Sequence, residues 1–234
     1  MKAQHLQPLV IVWFGQHRFQ TTTSGNQTAV AKVTYSDGSV QTVNVNYKVL
    51  PKIEAKTPIY DFKGQNLHNG SNADAYLTSD VTDQSYTTKW TNNSTSSTTT
   101  TLPLSTATAG EFNYTITRTY NVGRYGTTSN SSELLVSTTT LKHKVIEVTG
   151  VSHTFEQNVD DDDYYNSYTP SEWYSADSVS QSAILSANFV SSDLPDISTP
   201  GRFTYSVRFT TLPDGTGLSS TYELEVPYTV TPNR

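Results

Sequence analysis

Cysteine is absent from the 234-residue chain, which removes disulfide staples, thiolate metal sites and cysteine nucleophiles together. Charge is scarce, at 15% of residues, and 15 Lys and Arg against 21 Asp and Glu give a formal net charge of -6. Phosphate binding needs a concentrated basic surface, so no nucleic acid partner is expected. No apolar run approaches the roughly 18 residues of a membrane-crossing helix, so no membrane insertion is expected. The short apolar run from Leu9 to Phe14 is followed by Gln16, His17 and Arg18 instead of a small-residue cleavage site. It does not read as a signal peptide, and any export signal or anchor is expected outside this chain. A sustained 3.6-residue apolar stripe is missing too, so helices are not expected to build the fold.

What the chain does have is 38 Thr, 28 Ser and 15 Asn, together with 26 Phe, Tyr and Trp. So many aromatics argue against a disordered chain. Thr and Ser are weak helix formers, through β-branching and competition with the backbone. They suit the solvated faces of strands. Period-two alternation is clear at Phe203, Tyr205, Val207 and Phe209, and it resumes from Leu218 through Tyr222, Leu224, Val226, Tyr228 and Val230. Leu212-Pro213-Asp214-Gly215-Thr216-Gly217 lies between, which predicts a β-hairpin closed by an Asp-Gly turn. A second hairpin is expected at Ala29, Ala31, Val33 and Tyr35, turning at Ser36-Asp37-Gly38-Ser39 and returning through Val43, Val45, Tyr47 and Val49. A looser third runs through Phe112, Tyr114 and Ile116, then Gly123 to Gly126, then Leu134 to Val145.

Three separated hairpins suggest an internal repeat. Ile53-Glu54 and Ile146-Glu147 are 93 residues apart, and Phe62 and Phe155 share that offset. Tyr76 precedes Val81 as Tyr174 precedes Val179, and Trp90 and Phe189 fall in comparable strands. The chain is therefore expected to be all-β, as tandem immunoglobulin-like β-sandwich domains. The expected units are 53–145 and 146–234, with 1–52 a partial or short unit.

The segment from Ala29 to Val45, with Asp37-Gly38 at its centre, resembles the closing hairpin of Rib/alpha-like repeats of Gram-positive bacterial surface proteins. Phe209-Thr210-Thr211-Leu212-Pro213-Asp214-Gly215-Thr216 looks like the same Pro-Asp-Gly turn, Trp90 like the family's strand tryptophan, and Gly64-Gln65 like its early Gly-polar step. The resemblance implies an Ig-like fold on the bacterial cell surface, acting as an adhesin or its stalk. Its expected partner is a host or cell-surface glycan or protein. The middle copy departs from the pattern, with Tyr125-Gly126 where Asp-Gly is expected.

For chemistry, Asp160-Asp161-Asp162-Asp163 is the densest charge cluster. Consecutive carboxylates cannot all face one ion, and no EF-hand spacing surrounds them, so a solvated acidic loop is expected in preference to a Ca²⁺ site. Tyr164, Tyr165, Tyr168, Trp173 and Tyr174 follow among short polar residues. Exposed aromatics beside such groups suit sugar stacking or a protein-binding patch; the competing reading is that Trp173 and Tyr174 pack in a core. These five are the candidate ligand-binding residues, and they leave a carbohydrate-binding module or phage-type receptor-binding protein as the alternative function. His5, His17, His68, His143 and His153 show no metal-ligand spacing. No Gly-x-Ser-x-Gly elbow or phosphate-binding glycine loop occurs. No enzyme activity, metal or cofactor is expected.

Overall fold

A computed structural model describes residues 10–12, 21, 25–49, 51–79, 86–120, 135–159, 164, 169–191 and 195–233. The described chain is nearly all β, in several sheets, as an Ig-like sandwich requires. Contacts divide it into two compact units. One comprises Met1–Ile53, Ser79–Thr88 and Thr117–Thr138; the other comprises Glu54–Thr78, Lys89–Ile116 and Thr139–Arg234.

In the first unit, β1 (Val10–Val12), β2 (Gly25–Tyr35) and β3 (Val40–Val49) form a three-stranded sheet in that order. β2 and β3 are the expected hairpin, antiparallel from Gly25 opposite Val49 to Thr34 opposite Val40. Its turn is local chemistry. The Asp37 carboxylate accepts from the Ser39 amide at 2.9 Å, and Gly38 takes the positive φ of +82° that a side chain resists. The unit also buries Arg118. Its guanidinium lies 3.8 Å from the Tyr86 ring centre and its Nε donates to Thr88 Oγ1 at 3.2 Å, so the buried charge has both a π face and an acceptor.

Two further sheets repeat one strand order. The first runs β5 (Ile59–Phe62), β10 (Leu135–Ile146), β9 (Gly110–Tyr120), β7 (Tyr86–Asn92) and β8 (Thr98–Thr99). The second runs β12 (His153–Glu156), β16 (Thr221–Thr231), β15 (Gly201–Thr211) and β14 (Ile184–Phe189). In each, a short strand joins the long one in parallel: β5 along β10, and β12 along β16. Trp90 on β7 and Phe189 on β14 occupy corresponding strands. Small two-stranded pairs recur as well, β4 (Ile53–Ala55) with β6 (Leu77–Ser79), and β11 (Thr149–Gly150) with β13 (Tyr174–Ser175).

The hydrogen bonds set the true alignment of this recurrence, and it differs by one residue from the 93-residue offset. The Lys63 amide donates to Ile146 O and the Gln157 amide to Thr231 O, each at 2.8 Å, so Lys63 corresponds to Gln157. Gly64 and Asn158 then correspond, and both have positive φ, +75° and +56°. Asp61 thus takes the place of Phe155, and Phe62 that of Glu156. Likewise Lys56 N donates to Tyr76 O as Val151 N does to Trp173 O, both at 2.9 Å. Tyr76 therefore matches Trp173, not Tyr174. A one-residue slip in a strand exchanges its two faces, so the correction changes which residues are core.

The main core lies in the second unit. Phe155, Tyr164, Trp173, Tyr205, Val207, Phe209, Val226, Tyr228 and Val230 are buried together, and Tyr60, Phe62 and Ile146 join them. Phe62 reaches Tyr222 at 5.3 Å and Phe209 at 6.3 Å between ring centres. Alternation explains the join: Ile59 and Asp61 face one side of β5, while Tyr60 and Phe62 face the aromatic core of the β12–β16 sheet.

Candidate functional site

The β15–β16 hairpin ends in the Pro213-Asp214-Gly215 turn, between Thr210 opposite Thr221 and the loop back to β16. Asp214 organises it as Asp37 does in the other hairpin. Its Oδ1 accepts from the Thr216 amide at 2.7 Å, from the Thr216 hydroxyl at 2.5 Å and from the Leu218 amide at 3.3 Å. Here, however, the turn is docked. The Gly215 amide donates to Pro58 O at 2.7 Å. A Cβ on Gly215 would overlap the Thr57 nitrogen and the Lys56 carbonyl carbon, so only glycine permits this approach.

Beside the docked turn lies a buried polar chain. Asp61, on the face of β5 that in β12 carries Phe155, is fully buried. Its Oδ2 lies 2.9 Å from Nε2 of His143, on β10 and equally buried. Its Oδ1 lies 2.7 Å from Nδ1 of His68 and also accepts the His68 amide at 2.9 Å. Nε2 of His68 in turn lies 2.9 Å from Asp214 Oδ2. The His68 ring thus bridges β5 and the hairpin turn, whose Asp214 lies 146 residues beyond His68 in sequence.

Neighbouring groups close the arrangement. Asn69 Nδ2 is 3.0 Å from the same Asp214 oxygen and 2.8 Å from His68 Nε2, and Thr216 Oγ1 is 3.1 Å from Asn69 Oδ1. The buried Tyr76 hydroxyl donates to Gly70 O at 2.6 Å, holding the loop that carries both residues. His143 Nδ1 is buried without a hydrogen-bond partner.

The electrostatics follow from these contacts. Burial alone would raise the Asp61 pKa, but hydrogen bonds from His143 and His68 outweigh it and hold the carboxyl well below the usual range. Burial alone would lower the His68 pKa; the hydrogen bond and charge of Asp61, reinforced by Asp214, reverse the sign and raise it. Tyr76 is pushed up by burial and then by both carboxylates. Among the described residues no group of three or more His, Cys, Asp or Glu is arranged to hold a metal ion. The chain of groups ties β5, β10 and the hairpin turn together.

The aromatic candidates fall elsewhere. Trp173 has no exposed surface; Phe155, Phe189, Tyr205 and Tyr228 surround it, with His153 tilted 4.4 Å away. It packs in the core, at the position that matches the buried Tyr76. Tyr164 is buried against Phe155 edge-on at 5.7 Å, and its hydroxyl bonds Pro195 O at 3.3 Å. Tyr174 is half-buried, edge-on to Phe209 at 4.7 Å. Tyr165, Tyr168 and Asp160 to Asp163 lie outside the described residues, as do Trp13, Val81, Gly123 to Gly126 and Leu134.

Sequence reasoning missed Asp61, His68, His143 and Asp214 as one site. Asp61 and His68 are 7 residues apart, but His143 lies 82 residues from Asp61 and Asp214 farther still, and none of the short spacings that mark a metal or catalytic motif is present. The only local hint is that Asp214 sits in a recognised turn.

Comparison with known proteins bears on the first hairpin. Residues 11–51 match the family model of the Rib domain, covering β2, β3 and the turn between them. No curated protein matches the chain. Among solved structures, it is similar to the extracellular cadherin domains 1–4 of protocadherin gamma B7, with 12% identity, 89% of this chain and 58% of that one covered, and a TM-score of 0.21. For extracellular cadherin domains 1–5 of protocadherin gamma B2 the figures are 10%, 89%, 46% and 0.20. The chain thus spans only about half the length of these structures, and scores this low carry nothing over to it.

Proposed function

We propose that the chain is part of a bacterial cell-surface repeat protein and serves as an adhesin or its stalk. The Rib-domain match at residues 11–51 supports the surface-repeat reading. The observation that carries the stalk reading is the docked turn: Gly215 against Lys56–Pro58, with Asp214 tied through His68 to Asp61. In this reading 53–145 and 146–234 are successive Ig-like sandwiches and 1–52 is a shorter unit. A spacer must resist bending between sandwiches, and a hairpin tip seated on the preceding strands supplies that resistance.

The role is non-enzymatic and extracellular, and the partner of the assembled protein is a host or cell-surface glycan or protein. Tyr164 and Trp173 are buried, so a sugar-stacking surface in this segment would rest on its other aromatics. The location is tested by antibody labelling of intact and permeabilised producing cells. Labelling of intact cells is expected; labelling only after permeabilisation overturns the proposal. The stalk role is tested by small-angle scattering of the chain and of its Gly215→Ala variant. A less extended, more variable envelope is expected for the variant, and identical profiles would remove the docked turn as the stiffening element.

A further inference from the structure

We propose that His68 is a proton-operated latch, holding the Asp214 turn against β5 when charged and loosening it when neutral. The inference does not depend on where the protein resides. Its basis is geometric. Nδ1 of His68 faces one carboxylate, Asp61 Oδ1 at 2.7 Å, and Nε2 faces another, Asp214 Oδ2 at 2.9 Å. Only an imidazolium can donate to both, because a neutral ring has one N–H.

The neutral form has its own alternative partner. Asn69 Nδ2, 2.8 Å from Nε2, can donate to that nitrogen once its proton has left. Nδ1–H then keeps Asp61, while Asp214 Oδ2 faces a lone pair and keeps only its contact with Asn69 Nδ2 at 3.0 Å. One nitrogen thus chooses between Asp214 and Asn69 according to its proton. The charge balance around it comes from every side. Asp61 lies on β5, with His143 of β10 behind it; Asp214 lies on the hairpin turn, with Thr216 beside it; the Tyr76 hydroxyl comes from the Ala73–Tyr76 turn. A carboxylate at each nitrogen of the His68 ring favours its positive form.

The sign follows from linkage. A histidine whose pKa is raised in the docked state contributes fully below the ordinary imidazole value, and that contribution disappears as pH rises through the raised one. Between the two values the constant for releasing the turn rises about tenfold per pH unit. The Gly215–Pro58 bond does not titrate, so the latch tunes the attachment and does not supply all of it.

The test is nitrogen-15 NMR of the histidine rings in the full chain across pH 5 to 10, on the wild type and on Asp214→Asn. In the wild type, both His68 nitrogens are expected to carry protons at pH 7. The Gly215 and Thr216 amides should shift with the same midpoint as the ring. In Asp214→Asn the midpoint should fall toward the ordinary imidazole value and the coupled shift should vanish. A neutral His68 ring in the wild type at pH 6 overturns the latch. So do turn amides that ignore the ring's titration, a result the wild type alone can give if the variant does not fold.

Discussion

Two Asp-Gly turns close hairpins in this molecule, and they serve different ends. At Ser36-Asp37-Gly38-Ser39 the carboxylate accepts from the Ser39 amide, Gly38 has open space where a Cβ would be, and all four residues are exposed. At Pro213-Asp214-Gly215-Thr216 the same carboxylate chemistry shapes the turn, yet Asp214 is buried and Gly215 abuts the backbone of Lys56 and Thr57. The first glycine is required by its own backbone angle, the second by a neighbour's backbone. Identical local chemistry thus becomes a surface turn or a docking plug, depending on what the fold brings beside it.

Removing the receiving end of the plug should have the largest effect. Asp61→Ala strips the buried His68 and His143 of their shared acceptor, and breaking a buried pair in this way costs roughly 3–5 kcal/mol. Urea unfolding of the variant measures it. Next, Asp214→Ala should cost roughly 2–3 kcal/mol, since one carboxylate serves two amides, a hydroxyl and a histidine. Asp37→Ala, exposed throughout, should leave the unfolding midpoint close to wild type. Equal losses at the two aspartates would erase the distinction between the turns.

The glycines give a sharper version of the contrast. Gly215→Ala should cost about 1–3 kcal/mol through overlap with Lys56 and Thr57, and should expose the 56–58 segment to limited proteolysis. Gly38→Ala meets no atoms and should cost about 1 kcal/mol, the strain of a positive φ alone, without new cleavage. The smallest expected effect is on the acid side. Asp61 is held ionised, so its contribution is present above the usual carboxylate value and is lost only as pH falls through its depressed one. Thermal unfolding of the wild type should therefore show the cluster intact near pH 4; Asp61→Asn should remove that resistance.

Much of the architecture was legible in the chain. Alternation located β2, β3, β15 and β16, and the Asp-Gly pairs located two turns, because strand faces and turn angles are imposed by neighbours in sequence. Trp90 and Phe189, matched by likeness, do lie on strands that hold the same place in the two sheets. The register of the match was not legible. Pairing Phe62 with Phe155, and Tyr76 with Tyr174, follows residue likeness, whereas the hydrogen bonds pair Asp61 with Phe155 and Tyr76 with Trp173. Those two one-residue shifts place the buried Trp173 where Tyr76 is also buried, and put Asp61 at a position that reads as apolar if the repeat is taken literally.

The sequence by itself determined the strands, the two Asp-Gly turns and the all-β class, since each rests on contacts within a few residues. Only the tertiary structure decided that one turn docks, that an aspartate replaces a core phenylalanine, and that His68 lies between two carboxylates. Those outcomes depend on chain segments 82 and 146 residues apart meeting at hydrogen-bond distance. No local propensity encodes such a meeting; it emerges when the parallel strand β5 seats beside β10 and the distant hairpin closes over its end.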